Sequence, residues 1–443
     1  MALGGVYMTD TDGNIGTEVS NLTEKVCGLL FDISAQADFW TKGPGATAAA
    51  TLKDKVVELN SLEDAVKVGI TPCTVDNDGK VDTSSALLGG IAYYHINHFF
   101  TAAGGSGRLF VAFADCNNNW GALIDMQKAA VGAINQFGVW TEKNLWKHMD
   151  ETSASYSVAL VGELQSVAEN LANDYNAPAS ILLCANSAKV LTATGENTAV
   201  ALDHIPTCVV DARYVTVLLG QGMDVDVTAM QVALTSKTPV GTVGAALGCL
   251  TQASVAESIG WVQHFDLVSY FPDIEFGFGN SEEADGKLTN STKYASLSQA
   301  NLDDLDTKGY VFLVKYSGLE GHVYFSGDAT CSNGDFKTIA RNRAINKSRR
   351  SVRTALLPYV NSPLKVDPAT GHLSAAQITI FKNIVTDILN SMVAAEEISG
   401  IGAVTIPADQ NILKNDTLIV QYTMIPIGTA KQIKVTEGLV LKQ

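Results

Sequence analysis

The sequence predicts an α/β architecture followed by a smaller α+β unit, with an extended segment at each end. Three observations carry this. Strand-length, nearly apolar runs at 26–33, 108–113, 180–184 and 214–219 alternate with helix-periodic segments. That alternation is the pattern of a mostly parallel sheet covered by helices on both faces. Beyond residue 308 the order changes to a strand pair, two helices and two further strand-like segments. Finally, the first twenty or so residues are rich in Gly, Thr and Asp around one short apolar run, Val6-Tyr7-Met8, and read as an arm outside any core. The predicted organisation is an arm at 1–22, an α/β domain at 23–271 and a polar loop region at 272–307. An α+β domain at 308–428 and an arm strand at 429–443 complete it.

In chain order, 26–33 is a buried strand and 62–68 a helix. Residues 86–102 form a longer helix that ends at a glycine turn before the strand at 108–113. Helices are predicted near 124–137 and 157–175, and strands at 180–184, 208–211 and 214–219. The pair 310–315 and 322–325 is joined by Ser317-Gly318-Leu319-Glu320-Gly321. Ser374 with Gln377 makes a capping-box start for a helix over 375–397. Its Ile378, Phe381, Ile384, Val385, Ile388, Leu389, Met392 and Val393 follow helical periodicity. Gly400 and Gly402 are expected to end it, before strands at 418–425 and 432–441. No repeat at solenoid periods is present.

At 443 residues, with 46% hydrophobic and 17% charged residues, the chain can bury two or three cores. No run reaches the eighteen or so apolar residues of a membrane span, and the first residues carry no secretory pattern. The seven cysteines are odd in number, scattered and never in CxxC spacing, which points to a reducing compartment. The net charge of −16 is unevenly spread. From Lys337 onward there are 13 basic and 7 acidic residues, a balance of +6, so the first 336 residues carry −22. An acidic chain of this kind is a poor non-specific ligand for nucleic acid. Its polarity suits self-assembly or docking on another acidic protein.

The basic residues concentrate in one segment, DFKTIARNRAINKSRRSVRTALLPY, residues 335–359. On a helix, Ile345, Val352 and Leu356 share one face, with Arg343, Lys347 and Arg350 roughly opposite and Arg353 on the flank. Together with Lys337 and Arg349, these predict an exposed positive stripe. A solvated helix face is the plainer reading of the same residues.

Motifs for catalysis do not assemble. Gly104-Gly105-Ser106-Gly107 lies between a helix and a strand, the wrong polarity for a phosphate loop, and reads as a helix-terminating turn. Asp76-Asn-Asp78-Gly79 resembles part of a calcium loop, but Thr74 and Ser85 occupy positions that need carboxylates, so a polar turn is expected. Asp10-Thr-Asp12-Gly13 is likewise a turn. His95 and His98 are spaced for a metal pair, yet no nearby Cys, Asp or Glu completes it, which favours core histidines. GxSxG, HExxH and CxxC are absent. No catalytic, cofactor or metal residue is assigned. The five tryptophans read as packing residues. An α/β metabolic enzyme lacking a recognisable motif is the alternative class, since triads assemble from distant positions and fold alone does not assign function.

The C-terminal third resembles the shared C-terminal domain of contractile tail sheath proteins of bacteriophages and related injection machines. The resemblance rests on Arg353-Thr-Ala-Leu-Leu-Pro358-Tyr359, Glu396-Glu397-Ile398-Ser399-Gly400 and Asp409-Gln410-Asn411-Ile412-Leu413. Pro426-Ile427-Gly428-Thr429-Ala430 and the terminal Ile433-Lys-Val435 extend it. Farther upstream, Tyr93-Tyr94-His95, Glu257-Ser-Ile-Gly-Trp261 and Lys308-Gly309-Tyr310-Val311-Phe312 are similar to one sheath branch. The resemblance implies a non-enzymatic subunit without cofactor, polymerising with itself in six-fold helical rings around an inner tail tube protein. Baseplate and tail terminator proteins would be its other partners, with no nucleic acid and no direct membrane insertion. It implies a place in a virion tail assembled in the host bacterial cytoplasm; phage tail, bacteriocin and secretion apparatus are left open. It further implies inter-subunit strands from Val6, Tyr7, Met8, Ile433, Val435, Leu439 and Leu441. Lys337, Arg343, Lys347, Arg349, Arg350 and Arg353 would face the tube or a neighbouring subunit. A different self-assembling component, such as a tube or capsid subunit, is the third reading, against which the α/β middle domain argues.

Overall fold

The first strand shows why the large sheet forms. β1 (Val26–Asp32) reads VCGLLFD and is buried along its whole length, as expected for a central parallel strand with both faces covered. The computed structural model describes residues 24–35, 52–82, 87–117, 119–148, 156–191, 197–199, 205–234, 236–276, 281–282, 288–289 and 294–438. The N-terminal arm and Leu439 and Leu441 lie outside these residues.

β2 (Val56–Leu59), β3 (Arg108–Ala114), β4 (Gln136–His148), β5 (Ser180–Leu191), β6 (Val215–Leu219), β7 (Val311–Val314) and β8 (Tyr324–Phe325) complete the main path of the sheet. Their spatial order is β8-β7-β6-β5-β4-β1-β3-β2. The six inner strands are parallel, and β2 and β8 pair antiparallel at the two edges. The chain leaves β1 towards β3 and then returns to β4 on the other side, so the order reverses at β1.

Helices cover both faces. α1 (Leu62–Lys67) and α2 (Leu87–Ala102) lie on one face; α3 (Gly121–Ala129) and α4 (Ala159–Asn173) lie on the other. α5 (Val225–Ala233) and α6 (Val243–Gln252) join the first face, and α7 (Gln299–Thr307) contributes Leu305 to the second. α6 was not legible as a helix because of its glycines. The structure explains them: a Cβ on Gly244 would sit 2.1 Å from the carbonyl oxygen of His95, and one on Gly248 would sit 2.6 Å from that of Phe99. The glycines let α2 and α6 approach backbone to backbone.

Several expectations are corrected. The helix predicted at 124–137 stops at Ala129, because Val131 (φ 53°) and Gly132 (φ 78°) turn left-handed, and Gln136 already begins β4. Residues 208–211 form no strand; Cys208 N–H is tied to Lys308 O in a loop. The polar region at 272–307 contains α7, held by a capping box between Ser298 and Asn301. The strand pair after residue 308 belongs to the large sheet, because β7 runs parallel to β6.

The C-terminal unit contains α8 (Ile339–Leu356), α9 (Ala375–Ala394), β9 (Ile398–Thr405) and β10 (Gln421–Pro426). β9 and β10 form a separate antiparallel pair. Gly400 and Gly402 lie within β9; the helix ends earlier, where Glu396 turns left-handed at φ 56°. Val385, Leu389 and Met392 of α9 pack with Ala344 and Val352 of α8 and with Ile398 and Val404 of β9. α8 therefore lies between the small core and the α/β unit.

Candidate functional site

α8 forms where predicted. Thr338 caps its start by accepting from Arg341 N at 3.3 Å, and buried Asp328 accepts from Ala340 N at 3.3 Å. A carboxyl group at this end complements the helix dipole, and burial raises its pKa.

The expected exposed stripe is corrected. Arg343 is 1% exposed, and its Nη1 and Nη2 donate to Ser254 O (2.8 Å) and Ala253 O (3.2 Å), just past the end of α6. Burial is the main cause of its lowered pKa. Buried Lys347 forms an ion pair with Glu397, immediately before β9. Arg350 donates to Glu24 Oε1 at 2.5 Å and to Pro178 O at 3.0 Å. Arg349 donates to Ala172 O at 3.3 Å in the last turn of α4, and to the Tyr214 hydroxyl at 3.2 Å.

Two of these cations thus serve the negative ends of α4 and α6, and two hold carboxylates. The physical reason for the error is that the apolar face of α8 meets only one of its two neighbours. Opposite it lie carbonyl-rich helix ends and loops, which only donors satisfy. Arg353 and Lys337 are exposed, and Arg341, half-buried, donates to Asp335 O.

The other candidate surface is the C-terminal sheet with its arm. Many side chains of β9 and β10 are exposed, Ile425 at 53% among them. After β10, Lys431 reaches back to Asp306 of α7 at 2.6 Å. Ile433 and Val435 are 81% and 76% exposed and lie in no strand within the single chain. A groove of about 860 Å³ beside this sheet is lined by Leu356, Tyr359, Phe381 and Val420 together with polar Asn361, Ser362 and Asp416.

The tempting motifs resolve locally. His95 sits in the core, with Nε2 against Val240 O at 2.9 Å and Nδ1 accepting from Gly244 N at 3.3 Å. His98 packs against Tyr94, Tyr270 and Phe271. Asp76 Oδ1 accepts from Asp78 N and Lys80 N, closing a polar turn. Gly104 and Gly105 turn left-handed, and Gly105 N–H returns to Phe100 O. Among the described residues, no group of three His, Cys, Asp or Glu side chains is placed to hold a metal. No helix among them is long and apolar enough to cross a membrane.

Sequence reasoning also missed a polar crevice of about 490 Å³ at the carboxyl ends of β1, β3, β4 and β5, where doubly wound folds bind ligands. Two of its lining residues are held by buried Asp32, which accepts from Ser34 N (3.0 Å), Cys116 N (3.1 Å) and Thr141 Oγ1 (2.7 Å). Lys143 donates to Cys116 O and covers the Trp120 ring. These groups hold one another in place.

Comparison with known proteins accords with this architecture. The sequence matches the family described as DUF2586, N-terminal domain, over residues 3–329, and DUF2586, C-terminal domain, over residues 335–443. The second match begins just before α8 and keeps β7 and β8 with the first. No curated protein matches the chain. A chain of the cryo-EM structure of the anti-feeding prophage baseplate, 6-fold symmetrised, shares the fold at a TM-score of 0.53 and 12% identity, covering 100% of both chains. Looser likenesses, which carry no argument, are a chain of the sheath complex of an extracellular contractile injection system in its contracted state and the sheath tail protein from Desulfitobacterium hafniense. The first has a TM-score of 0.45 and 9% identity over 99% of this chain and 98% of that one. The second has a TM-score of 0.42 and 9% identity over 96% and 100%.

Proposed function

The chain belongs to the DUF2586 family, and from that premise we propose that it is a structural, non-enzymatic subunit of a contractile tail sheath. It polymerises around an inner tube and contracts to drive that tube through a target envelope. The observation that carries the reading is the end-to-end sharing of fold with a chain of the anti-feeding prophage baseplate. The sheath-like strings of the C-terminal third add to it.

In this reading the C-terminal arm links subunits. A segment with Ile433 and Val435 alternating with Lys434 and Thr436, exposed in the single chain, suits strand addition to an open sheet edge. There main-chain hydrogen bonds supply affinity and side-chain alternation supplies register. The β9–β10 pair offers such an edge, and residues 6–8 of the other arm would serve the same role. Contact with the tube, or with the acidic face of a neighbour, falls to the exposed Arg353 and Lys337. Each exposed ion pair is worth only about 0.2–1 kcal/mol, which suits a surface that must release.

The test is negative-stain microscopy of the purified chain and of a deletion of residues 429–443, each alone and with the tube protein. Hollow striated cylinders lost on deletion are the expected result. Small particles from the intact chain, with and without tube, would overturn the sheath reading.

A further inference from the structure

The seam between α8 and the amino-terminal ends of the strands contains buried polar atoms with no hydrogen-bond partner among the described residues. Asn346, 1% exposed, has neither Oδ1 nor Nδ2 engaged. Arg343 Nε, Glu24 Oε2, Gln136 Oε1 and Ser180 Oγ are in the same condition. Several are neighbours: Arg343 lies within electrostatic range of Glu24, Cys27 and Arg350. Arg343, Asn346 and Arg350 follow one helix face at i, i+3 and i+7. Arg350 binds Glu24 and Pro178 O. Glu24 precedes β1, Gln136 opens β4 opposite Cys27, and Ser180 opens β5 opposite Gln136.

We infer that this seam is a hydration site, in which ordered water binds the Asn346 amide and links α8 to the strand ends. The chemistry excludes other occupants. The unengaged atoms include donors (Arg343 Nε, Asn346 Nδ2), acceptors (Glu24 Oε2, Gln136 Oε1, Asn346 Oδ1) and a hydroxyl that serves as either. An anion would meet the acceptors unfavourably, and a cation would meet the arginines. A small neutral molecule that both donates and accepts answers all of them, and buried water making about three such bonds is a regular part of folded proteins. An apolar filler would leave every one unsatisfied, which is the costly outcome for buried polar groups.

The inference does not rest on the sheath reading. Its test exploits a difference in sign. If Asn346 binds water, the near-isosteric Asn346→Leu displaces it and lowers the thermal midpoint by several degrees. Asn346→Ser, which keeps a group able to hold water, recovers part of that loss relative to Asn346→Ala. If the seam is dry, Asn346→Leu removes an unsatisfied amide and leaves the midpoint unchanged or raised. That result overturns the inference, as does a serine variant no better than alanine. Should the leucine variant fail to fold, a high-resolution map of the unaltered protein decides. Solvent peaks within hydrogen-bond distance of both ends of the Asn346 amide support the site, and a map without them refutes it.

Discussion

Replacing Lys347 by methionine is expected to destabilise the C-terminal unit severely, while replacing it together with Glu397 is not. The two side chains are 11% and 7% exposed, and among the described residues Glu397 Oε2 has no hydrogen-bond partner to share the charge. Removing the ammonium strands a desolvated carboxylate, and breaking one side of such a pair costs about 3–5 kcal/mol. In Lys347→Met/Glu397→Leu the carboxylate is gone too, the desolvation of both ions is relieved, and the volumes are nearly kept. Buried pairs replaced in this way are often neutral or more stable by about 1–4 kcal/mol. The assay is urea unfolding of the dilute, unassembled subunit followed by circular dichroism. With a slope of about 1–3 kcal/mol per molar urea, the single variant shifts the midpoint down by at least about 1 M. The double variant should unfold at or above the parent midpoint, on the same slope. Equal losses from the single and double variants would show that the pair is not an isolated buried contact, and the placement of Lys347 in the interior would be wrong.

Three further outcomes follow from the same geometry. Burial lowers the pKa of His95 to about 3 and of His98 to about 4, from 6.5; the unfolded chain therefore binds protons that the folded one excludes. Stability is full above pH 6.5 and falls as pH drops toward 4, by about 1.4 kcal/mol per pH unit for each histidine. His98→Phe, facing Tyr94, Tyr270 and Phe271, should halve the slope measured from unfolding midpoints between pH 7 and 4.5. Arg350→Ala removes charge-assisted hydrogen bonds to Glu24 and Pro178 O worth about 1.5–3 kcal/mol each before relaxation. It should accelerate amide exchange at the start of β1, whereas unchanged exchange there would contradict the contact. Lys431→Glu opposes Asp306, an exposed contact, so global stability should move by less than about 1 kcal/mol. Tryptic cleavage after Lys434 should nonetheless accelerate as the arm root comes free; an unchanged rate would show that the pair does not hold the arm.

What was legible follows from which forces leave a local trace. β1, β3 and β6 could be read because a strand buried on both faces must be apolar throughout. α9 could be read because its buried residues recur at helical spacing and Ser374 caps it. β4 was hidden: its QFGVWTEKNLWKH mixes charges into a strand that stays largely buried as far as Trp146, and a left-handed valine separates it from α3. For the candidate site, the position of α8 was legible and the direction of its charges was not. Arginine periodicity looks the same whether the guanidinium meets solvent or the carbonyls at the end of another helix. The partners Glu24, Ser254 and Glu397 lie between 50 and 326 residues away along the chain. A weak signal was present in Asn342, Asn346 and Ser348, small polar residues interleaved with the cations, which a fully solvated face has no need to select.

The charge polarity of the chain takes on a different meaning once those partners are placed. Read along the sequence, a balance of −22 followed by +6 suggests an acidic body with a basic surface for docking elsewhere. In the fold, much of that positive charge is spent inside the molecule. Arg343, Arg349 and Arg350, on a helix that the family match assigns to the C-terminal domain, close carbonyls and a carboxylate of the N-terminal one. From its other side the same helix packs on α9 and β9 and binds Glu397. α8 is thus a shared wall, and neither unit keeps its polar groups satisfied without it. A pull applied through the arm to the β9–β10 pair would cross α8 to reach the large sheet, through contacts that are charged and directional. Such contacts hold two units in one orientation more strictly than apolar packing does, because a guanidinium moved off its carbonyls loses bonds that no new neighbour replaces. The two units would therefore move as a single body.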